Sequence, residues 1–366
     1  MDIVIVGGGI VGTAIAARLG ETEHDVALVE RSGIGTETTA ASAGILMETV
    51  IDPTPFDLRF RERARSVYDD LFERSPLEST RVGVLYVAET ATFADRLEES
   101  AATLSDRGLE ASYLPADELS RLGVDPDGFV GGLYTPNDAL CDPTAVANWF
   151  ADCARQTGVE VRTEAAVTDI VLSEGAVSSV ETDTGRLDAD CVINATGPWA
   201  PAVNELVDVS LPLRQTLGPM VALESDDPIE SPVTILESKR YVRPTGGADG
   251  TGAWVGEYRT GYDDGQRYDP DEAAVPDGFA DSARALATVV PALEDASVAD
   301  EWVGLRTVTP DGRPIVGETN VDGFVVACGM TGQGITLAPA VADVVYGVLE
   351  EDLAGESRDR LSPDRF

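Results

Sequence analysis

Short apolar runs separated by glycine and acidic residues predict a mixed α/β fold for this chain. Residues 2–6 (DIVIV) are typical of a buried strand. A glycine-rich segment follows at residues 7–12 (GGGIVG), and the pattern at residues 13–19 predicts a helix. Residues 25–30 (DVALVE) predict a second strand that ends in an acid. Strand, glycine turn, helix and strand in this order indicate a βαβ unit.

The glycine spacing in this unit favours a dinucleotide site. Gly7 permits a tight turn, Gly9 lets a pyrophosphate approach the backbone, and Gly12 lets the helix pack on the strand. Glu30 ends the second strand, where its carboxylate can accept hydrogen bonds from ribose hydroxyls. An acid there disfavours a 2′-phosphate, so NADP is not expected. A glycine-rich turn in an ordinary βαβ unit is the alternative.

A second unit of strand, glycine loop and helix is predicted near the carboxyl end. Residues 323–328 predict the strand and residues 329–335 (GMTGQGI) the loop, and the helix that follows has Pro339 near its start. Residues 35–46 are small and polar, so they can line a long cofactor; a disordered linker is the alternative. Two such cradles at opposite ends of the chain favour FAD over NAD.

The net charge of the chain limits which binding partners we expect. The chain has 65 Asp and Glu against 26 Lys and Arg, a net charge of −39, and Lys239 is its single lysine. The acids are scattered, so we favour a solvated surface adapted to a salty, halophilic cytoplasm over a site for cations or basic partners. Nucleic-acid binding is disfavoured, because it needs basic residues that neutralise phosphates.

The histidine and cysteine content and the hydropathy of the chain argue against further classes of site and of protein. His24 is the single histidine and is expected to be exposed and structural, which argues against histidine-based catalysis and metal sites. The four cysteines form no CxxC pair, and Cys191 and Cys328 are expected in the core. No apolar run is long enough to span a bilayer, and no signal-peptide pattern precedes the glycine motif. We therefore expect a cytoplasmic protein.

Together these motifs resemble the D-amino-acid oxidase-like (DAO) family of FAD-dependent oxidoreductases, particularly its glycine oxidase and sarcosine oxidase-type members. The resemblance covers nearly the whole chain. Its most specific part is residues 302–317 (WVGLRTVTPDGRPIVG), followed by the loop at 329–334. Other matching segments are the glycine motif with Glu30 and residues 38–45, 83–85, 142–143, 194–199, 241–244 and 361–366.

The resemblance implies two interleaved domains. An FAD-binding domain with a parallel sheet of the glutathione reductase type would comprise residues 1–78, 142–209 and 307–366. An α+β substrate domain around an antiparallel sheet would comprise residues 79–141 and 210–306. The sequence supports the second domain independently, because residues 82–88 and 253–257 predict strands without a glycine loop and helix after them, and 246–252 predict a turn.

The resemblance also implies which residues hold the FAD. They come from the glycine motif, the end of the second strand, the small polar loop, two later strands and the carboxyl-terminal loop. They are Gly7, Gly9, Ile10, Val11, Gly12, Glu30, Arg31, Thr38, Thr39, Ala43, Gly44, Ile45, Val167, Gly197, Gly329, Met330, Thr331, Gly332, Gln333, Gly334 and Ile335. Sarcosine oxidase-type enzymes attach FAD through a cysteine that aligns with Gly304, so non-covalent FAD is expected here.

For the substrate, the resemblance implies that Arg306 binds a carboxylate and that Tyr241 helps bind it and lines the pocket. A structural ion pair for Arg306 and an ordinary core or rim position for Tyr241 are the alternatives. Arg259 stands where relatives often have an apolar pocket residue, which suggests a second acidic group on the substrate, or a surface arginine. Met330 replaces a histidine found in many members, which weakens transfer of a specific substrate.

These residues favour one reaction over its alternatives. Hydride transfer from a neutral amine to flavin N5 needs no protein base, whereas an alcohol substrate requires one. We therefore expect oxidation of the C–N bond of a small amino acid or secondary amine of the glycine, sarcosine or D-amino acid class. A 2-hydroxy-acid or glycerol-3-phosphate dehydrogenase is the second possibility, and a flavin-binding subunit of a larger complex the third. The electron acceptor, oxygen or another, is left open.

Overall fold

The computed structural model describes residues 1–245, 250–352 and 355–366. The strands are β1 (Asp2–Val6), β2 (Asp25–Val29), β3 (Ile45–Leu46), β4 (Thr80–Arg81), β5 (Val84–Ala88), β6 (Ser112–Pro115), β7 (Gly131–Thr135), β8 (Ala139–Leu140), β9 (Glu160–Arg162), β10 (Val167–Ser173), β11 (Ala176–Thr182), β12 (Gly185–Asp188), β13 (Cys191–Asn194), β14 (Arg214–Glu224), β15 (Val233–Leu236), β16 (Arg240–Pro244), β17 (Gly252–Glu257), β18 (Ser297–Val308), β19 (Ile315–Glu318) and β20 (Phe324–Cys328). The helices are α1 (Ile10–Leu19), α2 (Pro55–Arg74), α3 (Ala91–Asp106), α4 (Pro143–Gln156), α5 (Ala200–Glu205), α6 (Phe279–Ala287), α7 (Gly334–Leu349) and α8 (Gly355–Leu361). Of the turn predicted at 246–252, residues 246–249 lie outside the described residues.

The apolar runs at both ends of the chain meet in one sheet. Its strand order is β19-β20-β13-β1-β2-β9, and every pair is parallel except the edge pair β19–β20. Helix α1 lies against α4 and α7, and the three share one apolar core with the sheet. Parallel strands need helices on their faces, which explains why the runs are almost continuously apolar. The predicted α/β fold class is confirmed.

A second sheet has eight strands, in the order β18-β14-β17-β16-β15-β5-β7-β6, and two three-stranded sheets have the orders β10-β11-β12 and β3-β8-β4. The eight-stranded sheet was predicted to be antiparallel, and it is so except at the parallel pair β15–β5. Its strands come from residues 84–135 and 214–308, whereas the parallel sheet uses residues 2–29, 160–162, 191–194 and 315–328. The proposed division into two interleaved domains follows this separation.

Two details of the helices differ from the sequence prediction. Helix α1 begins at Ile10, immediately after the glycines, rather than at residue 13. Pro339 lies inside α7 instead of near its start. A proline cannot donate to the carbonyl four residues earlier, here that of Ile335. The Tyr68 hydroxyl of α2 donates a hydrogen bond to that carbonyl instead, so the interior proline leaves no unsatisfied acceptor.

The single histidine and the four cysteines are all at least partly buried. His24 was expected to be exposed, but it is half-buried, with Nε2 2.8 Å from Oε1 of Glu350. Cys191 and Cys328 are buried, as predicted, and no disulfide joins the described cysteines. Within the described ranges, no helix has the length and apolar character needed to cross a bilayer. In the same residues, no group of histidine, cysteine and acidic side chains is arranged to hold a metal ion.

Candidate functional site

A cavity of about 480 Å³ connects the two sheets. One end is lined by the amino-terminal glycine motif and Glu30, and the other by strands β14, β16 and β18. The two glycine-rich loops therefore contribute to one continuous site, although they are far apart in the chain.

The amino-terminal glycines shape the nucleotide end. Gly7 has φ 109°, a region that favours glycine. A Cβ on Gly12 would lie 1.9 Å from the carbonyl oxygen of Gly7, so only glycine lets α1 pack this closely on the turn. The Thr39 hydroxyl accepts a hydrogen bond of 3.0 Å from the Ile10 N–H, which places the small polar loop over the helix amino terminus. The positive end of the helix dipole thus faces the cavity.

Glu30 is fixed at this end by hydrogen bonds. Its Oε2 accepts from the Gly8 N–H at 2.6 Å, and its Oε1 accepts from the Ser32 N–H at 2.9 Å. Each carboxylate oxygen has further lone pairs. The side chain lines the cavity and can therefore also accept from a ribose.

The carboxyl-terminal loop forms another part of the wall. Gly329, Thr331 and Gly332 all have positive φ, and the Thr331 N–H donates to the Thr307 carbonyl at 2.9 Å. Thr307 also lines the cavity, although its hydroxyl oxygen is buried and has no hydrogen-bond partner among the described residues. The loop and the end of β18 are thus joined by a backbone hydrogen bond, and both contribute to the wall.

Most of the predicted cofactor residues line this cavity, and a few do not. Those in the wall are Gly9, Ile10, Val11, Glu30, Thr38, Thr39, Ala43, Ile45, Gly197, Gly329, Met330, Thr331, Gly332, Gln333, Gly334 and Ile335. Gly7, Gly12 and Gly44 do not line the cavity, and at each of them a Cβ would collide with a nearby backbone carbonyl oxygen. Arg31 instead pairs with Asp271 at 2.7 Å, and Val167 begins β10; neither is brought to the wall.

Arg306, on β18, lies at the other end of the cavity. Its Nη1 donates to the Leu217 carbonyl at 3.1 Å and its Nη2 to the Glu257 carbonyl at 2.9 Å. These bonds use two of five guanidinium hydrogens. No carboxylate among the described residues forms an ion pair with Arg306, because that of Glu257 pairs with Arg240 and Arg259. Burial lowers the pKa of Arg306, and the nearby Tyr241 opposes that shift. Arginine stays charged at any working pH.

Tyr241, on β16, lies next to Arg306. Its side chain is buried, and its hydroxyl lies 2.8 Å from the Met220 sulfur. Burial raises the pKa of the Tyr241 hydroxyl, and Arg306 partly opposes the shift, so the hydroxyl stays protonated. The Tyr241 ring faces that of Tyr258 with the centroids 6.2 Å apart.

Two further cations line the cavity that the sequence analysis did not single out. Arg61, on α2, donates to the Met47 carbonyl at 2.8 Å and to the Gln333 side chain. Lys239 lies in the turn between β15 and β16. Arg61 belongs to no motif and gave no signal in the sequence. For Lys239, the signal in the sequence was that it is the single lysine of the chain.

Arg259 does not line the cavity. Its side chain is 58% exposed and pairs with Glu257, while Tyr258 and Thr260 on either side line the wall. This position corresponds to the surface arginine that was the alternative.

Cys328 does line the cavity, and burial raises the pKa of its thiol to about 12.

Comparison with known proteins identifies the family. Residues 2–346 match the model of the DAO family, described as FAD dependent oxidoreductase. The chain belongs to this family. It is an FAD-dependent oxidoreductase, which confirms the enzyme class and the cofactor that the motifs predicted.

Similar proteins span almost the full chain. Glycine oxidase of Geobacillus kaustophilus is 26% identical over 364 residues, which is 95% of this chain and 93% of that protein. D-amino acid dehydrogenase of Methylobacterium nodulans is 26% identical over 424 residues, which is 97% of this chain and 98% of that protein. The crystal structure of L-proline dehydrogenase from P. horikoshii has the same fold, with a TM-score of 0.89 and 20% sequence identity. The match covers 100% of this chain and 97% of that one.

Proposed function

We propose that this enzyme oxidises the C–N bond of a small amino acid or secondary amine that carries a carboxylate. The observation that carries the proposal is the half-buried Arg306 guanidinium, which faces the cavity with unused N–H groups and no carboxylate partner among the described residues. The two curated relatives, whose names refer to amino acids, support the same class.

The residues in the cavity wall fit FAD. Glu30 can hold a ribose, and the amino terminus of α1 can hold a pyrophosphate. Bound FAD supplies a hydride acceptor at N5. Non-covalent attachment is part of the proposal, because Gly304 offers no side chain and the Cys328 thiol is held protonated by its raised pKa.

Arg306 and Tyr241 would hold the substrate carboxylate. An arginine can donate two parallel hydrogen bonds to a carboxylate, and such charge-assisted bonds are among the strong ones. The Tyr241 hydroxyl adds a donor beside the guanidinium. Fixing the carboxylate in this way orients the neighbouring C–H bond of the substrate, which is the main requirement for hydride transfer.

Among the residues that the structure describes, no protein base lies at this end of the cavity. The titratable residues described there are Arg61, Lys239, Arg306 and three tyrosines, Tyr86, Tyr241 and Tyr258. Burial raises the pKa of each tyrosine, so all three stay protonated. An amine can react as the neutral species without a base, whereas a hydroxy acid would need its hydroxyl proton removed. Amine oxidation is therefore favoured over hydroxy-acid oxidation.

Anaerobic flavin reduction tests the proposal. The holoenzyme, purified in high salt, is mixed without oxygen with glycine, sarcosine, D-amino acids and proline, and separately with lactate and glycerol 3-phosphate. We expect flavin absorbance to be lost with at least one amine. Bleaching by the hydroxy compounds alone would support the dehydrogenase alternative, and no bleaching by any compound would support a flavin-binding subunit.

A further inference from the structure

The substrate end of the cavity differs in charge from the rest of the molecule. The chain has a net charge of −39, yet this end is lined by Arg61, Lys239 and Arg306. The acids that line the cavity among the described residues, Glu30 and Glu37, are at the nucleotide end. A cationic pocket in an anionic protein concentrates anionic ligands that the surface would otherwise repel.

Lys239 is held in place by its backbone. It has φ 70° in the turn between β15 and β16. Its N–H donates to the Leu236 carbonyl at 3.0 Å, and its carbonyl accepts from the Tyr258 N–H at 2.8 Å. The chain's single lysine therefore occupies a defined position at the cavity wall, although its side chain is exposed.

The Lys239 ammonium has no acidic partner among the described residues. Glu237 hydrogen-bonds to the Thr90 hydroxyl and backbone, and Glu257 is already paired with Arg240 and Arg259. Nζ instead lies 5.6 Å from the centroid of the Tyr258 ring. The ammonium is thus available to a ligand in the cavity.

The geometry points to a second anionic group on the substrate, and we propose that Lys239 binds a second carboxylate. This inference rests on the proposed function, which places the first carboxylate at Arg306. The Tyr258 ring lies next to both the Tyr241 ring and the Lys239 ammonium. We expect the two carboxylates to be at opposite ends of the substrate. The substrate class is then an amino acid or secondary amine with two carboxylates. Lys239 replaces Arg259 in the role that the sequence analysis suggested.

Matched substrates and variants test this inference. The substrates are pairs that differ in one negative charge: glutamate with glutamine and aspartate with asparagine, each in both enantiomers, and iminodiacetate with sarcosine. The variants are Lys239→Met, Lys239→Arg and Arg121→Met. Arg121 is exposed, pairs with Glu118 and does not line the cavity, so its variant controls for the loss of one positive charge. Flavin content and kcat/KM are measured for each protein.

We expect the wild-type enzyme to prefer the acidic member of at least one pair. Lys239→Met should lower kcat/KM for that member about twofold to fivefold, mainly through KM, the range expected for an exposed ion pair. The neutral member should change less than about twofold by the same reasoning. Lys239→Arg and Arg121→Met should preserve the preference. The effect of Lys239→Met should also decrease as KCl is raised, because salt screens exposed charges.

Two results would overturn the inference while leaving the proposed function intact. One is a wild-type enzyme that oxidises the neutral member of every pair at least as well as the acidic one. The other is a Lys239→Met enzyme that loses activity equally on both members, which would indicate a structural role. Failure of every amine to reduce the flavin would instead refute the proposed function, and the inference with it.

Discussion

At the scale of single residues, the position of Arg306 depends on glycines that seemed unrelated to it. Gly332 was predicted as a cofactor residue, yet a Cβ there would lie 2.8 Å from Cδ of Arg306. Gly218, which no motif singled out, would place a Cβ 2.6 Å from Nη1. The sequence can show that these residues are glycines, but close approach between β14, β18 and the loop is a property of the folded chain.

Substituting Gly218 by alanine should therefore disturb substrate binding more than folding. The added methyl would displace the guanidinium, so we expect KM for carboxylate substrates to rise about tenfold, which corresponds to a packing penalty of about 1.4 kcal/mol. FAD content should be retained. Gly355→Ala, whose Cβ would meet nothing within 4 Å, is the matched control. An unchanged KM in Gly218→Ala would show that Arg306 does not hold the substrate in this position.

The pH dependence should follow the substrate rather than the protein. Burial keeps the pKa of Tyr241 above its usual value, and no other described group at this end of the cavity can take a proton near neutral pH. The fraction of neutral amine rises with pH. We therefore expect kcat/KM to rise with pH and to level off once the pH exceeds the pKa of the substrate amine. The inflection should shift when substrates of different amine pKa are compared. An inflection that stays fixed across substrates would reveal a protein base.

At the scale of elements, apolar periodicity predicted strands well and their pairing poorly. The bounds of β1 matched the prediction because all but its first residue are buried. The parallel pair β15–β5 could not be predicted, because it joins residues that are distant in the chain. Pro339 was placed at a helix start because proline normally avoids helix interiors. The contact with Tyr68 that permits the interior position comes from another helix and leaves no trace in the local sequence.

A double-mutant cycle should show that Tyr68 compensates for Pro339. Tyr68→Phe alone should lower the free energy of unfolding by about 1–3 kcal/mol, because the buried Ile335 carbonyl loses its donor. In Pro339→Ala the backbone N–H can supply that donor, so Tyr68→Phe should then cost about 1 kcal/mol or less. Denaturant unfolding of the four proteins gives the coupling energy. Equal costs in both backgrounds would contradict the compensation.

At the scale of the whole molecule, contiguous motifs were predictable and scattered wall residues were not. The glycine loops and Glu30 were found from local patterns, and Arg306 was implied by the resemblance to a family. All of them contribute to one cavity. Arg61, Lys239 and Tyr258 belong to ordinary helix, turn and loop segments, so only the fold brings them to the site. The halophilic surface and the cytoplasmic location stay predictions, since both follow from composition and sequence pattern alone.

Salt should stabilise the folded protein if the acidic surface is an adaptation to it. With a net charge of −39, repulsion between surface carboxylates favours unfolding at low ionic strength. Near 1 M salt the Debye length falls to about 3 Å, so most of this repulsion should be screened. We expect Tm in KCl to rise steeply up to this concentration, and far less in an equally concentrated neutral osmolyte. A Tm independent of KCl would contradict the halophilic interpretation.

The most direct test of the central claim, that Arg306 holds the carboxylate of an amine substrate against FAD, is the anaerobic reduction of Arg306→Ala and Arg306→Lys. We predict that both variants retain FAD. For the best carboxylate amine, kcat/KM should fall about 100-fold in Arg306→Ala, as expected for loss of a charge-assisted bidentate contact, and less in Arg306→Lys. Wild-type kinetics in Arg306→Ala, with FAD bound, would contradict the claim.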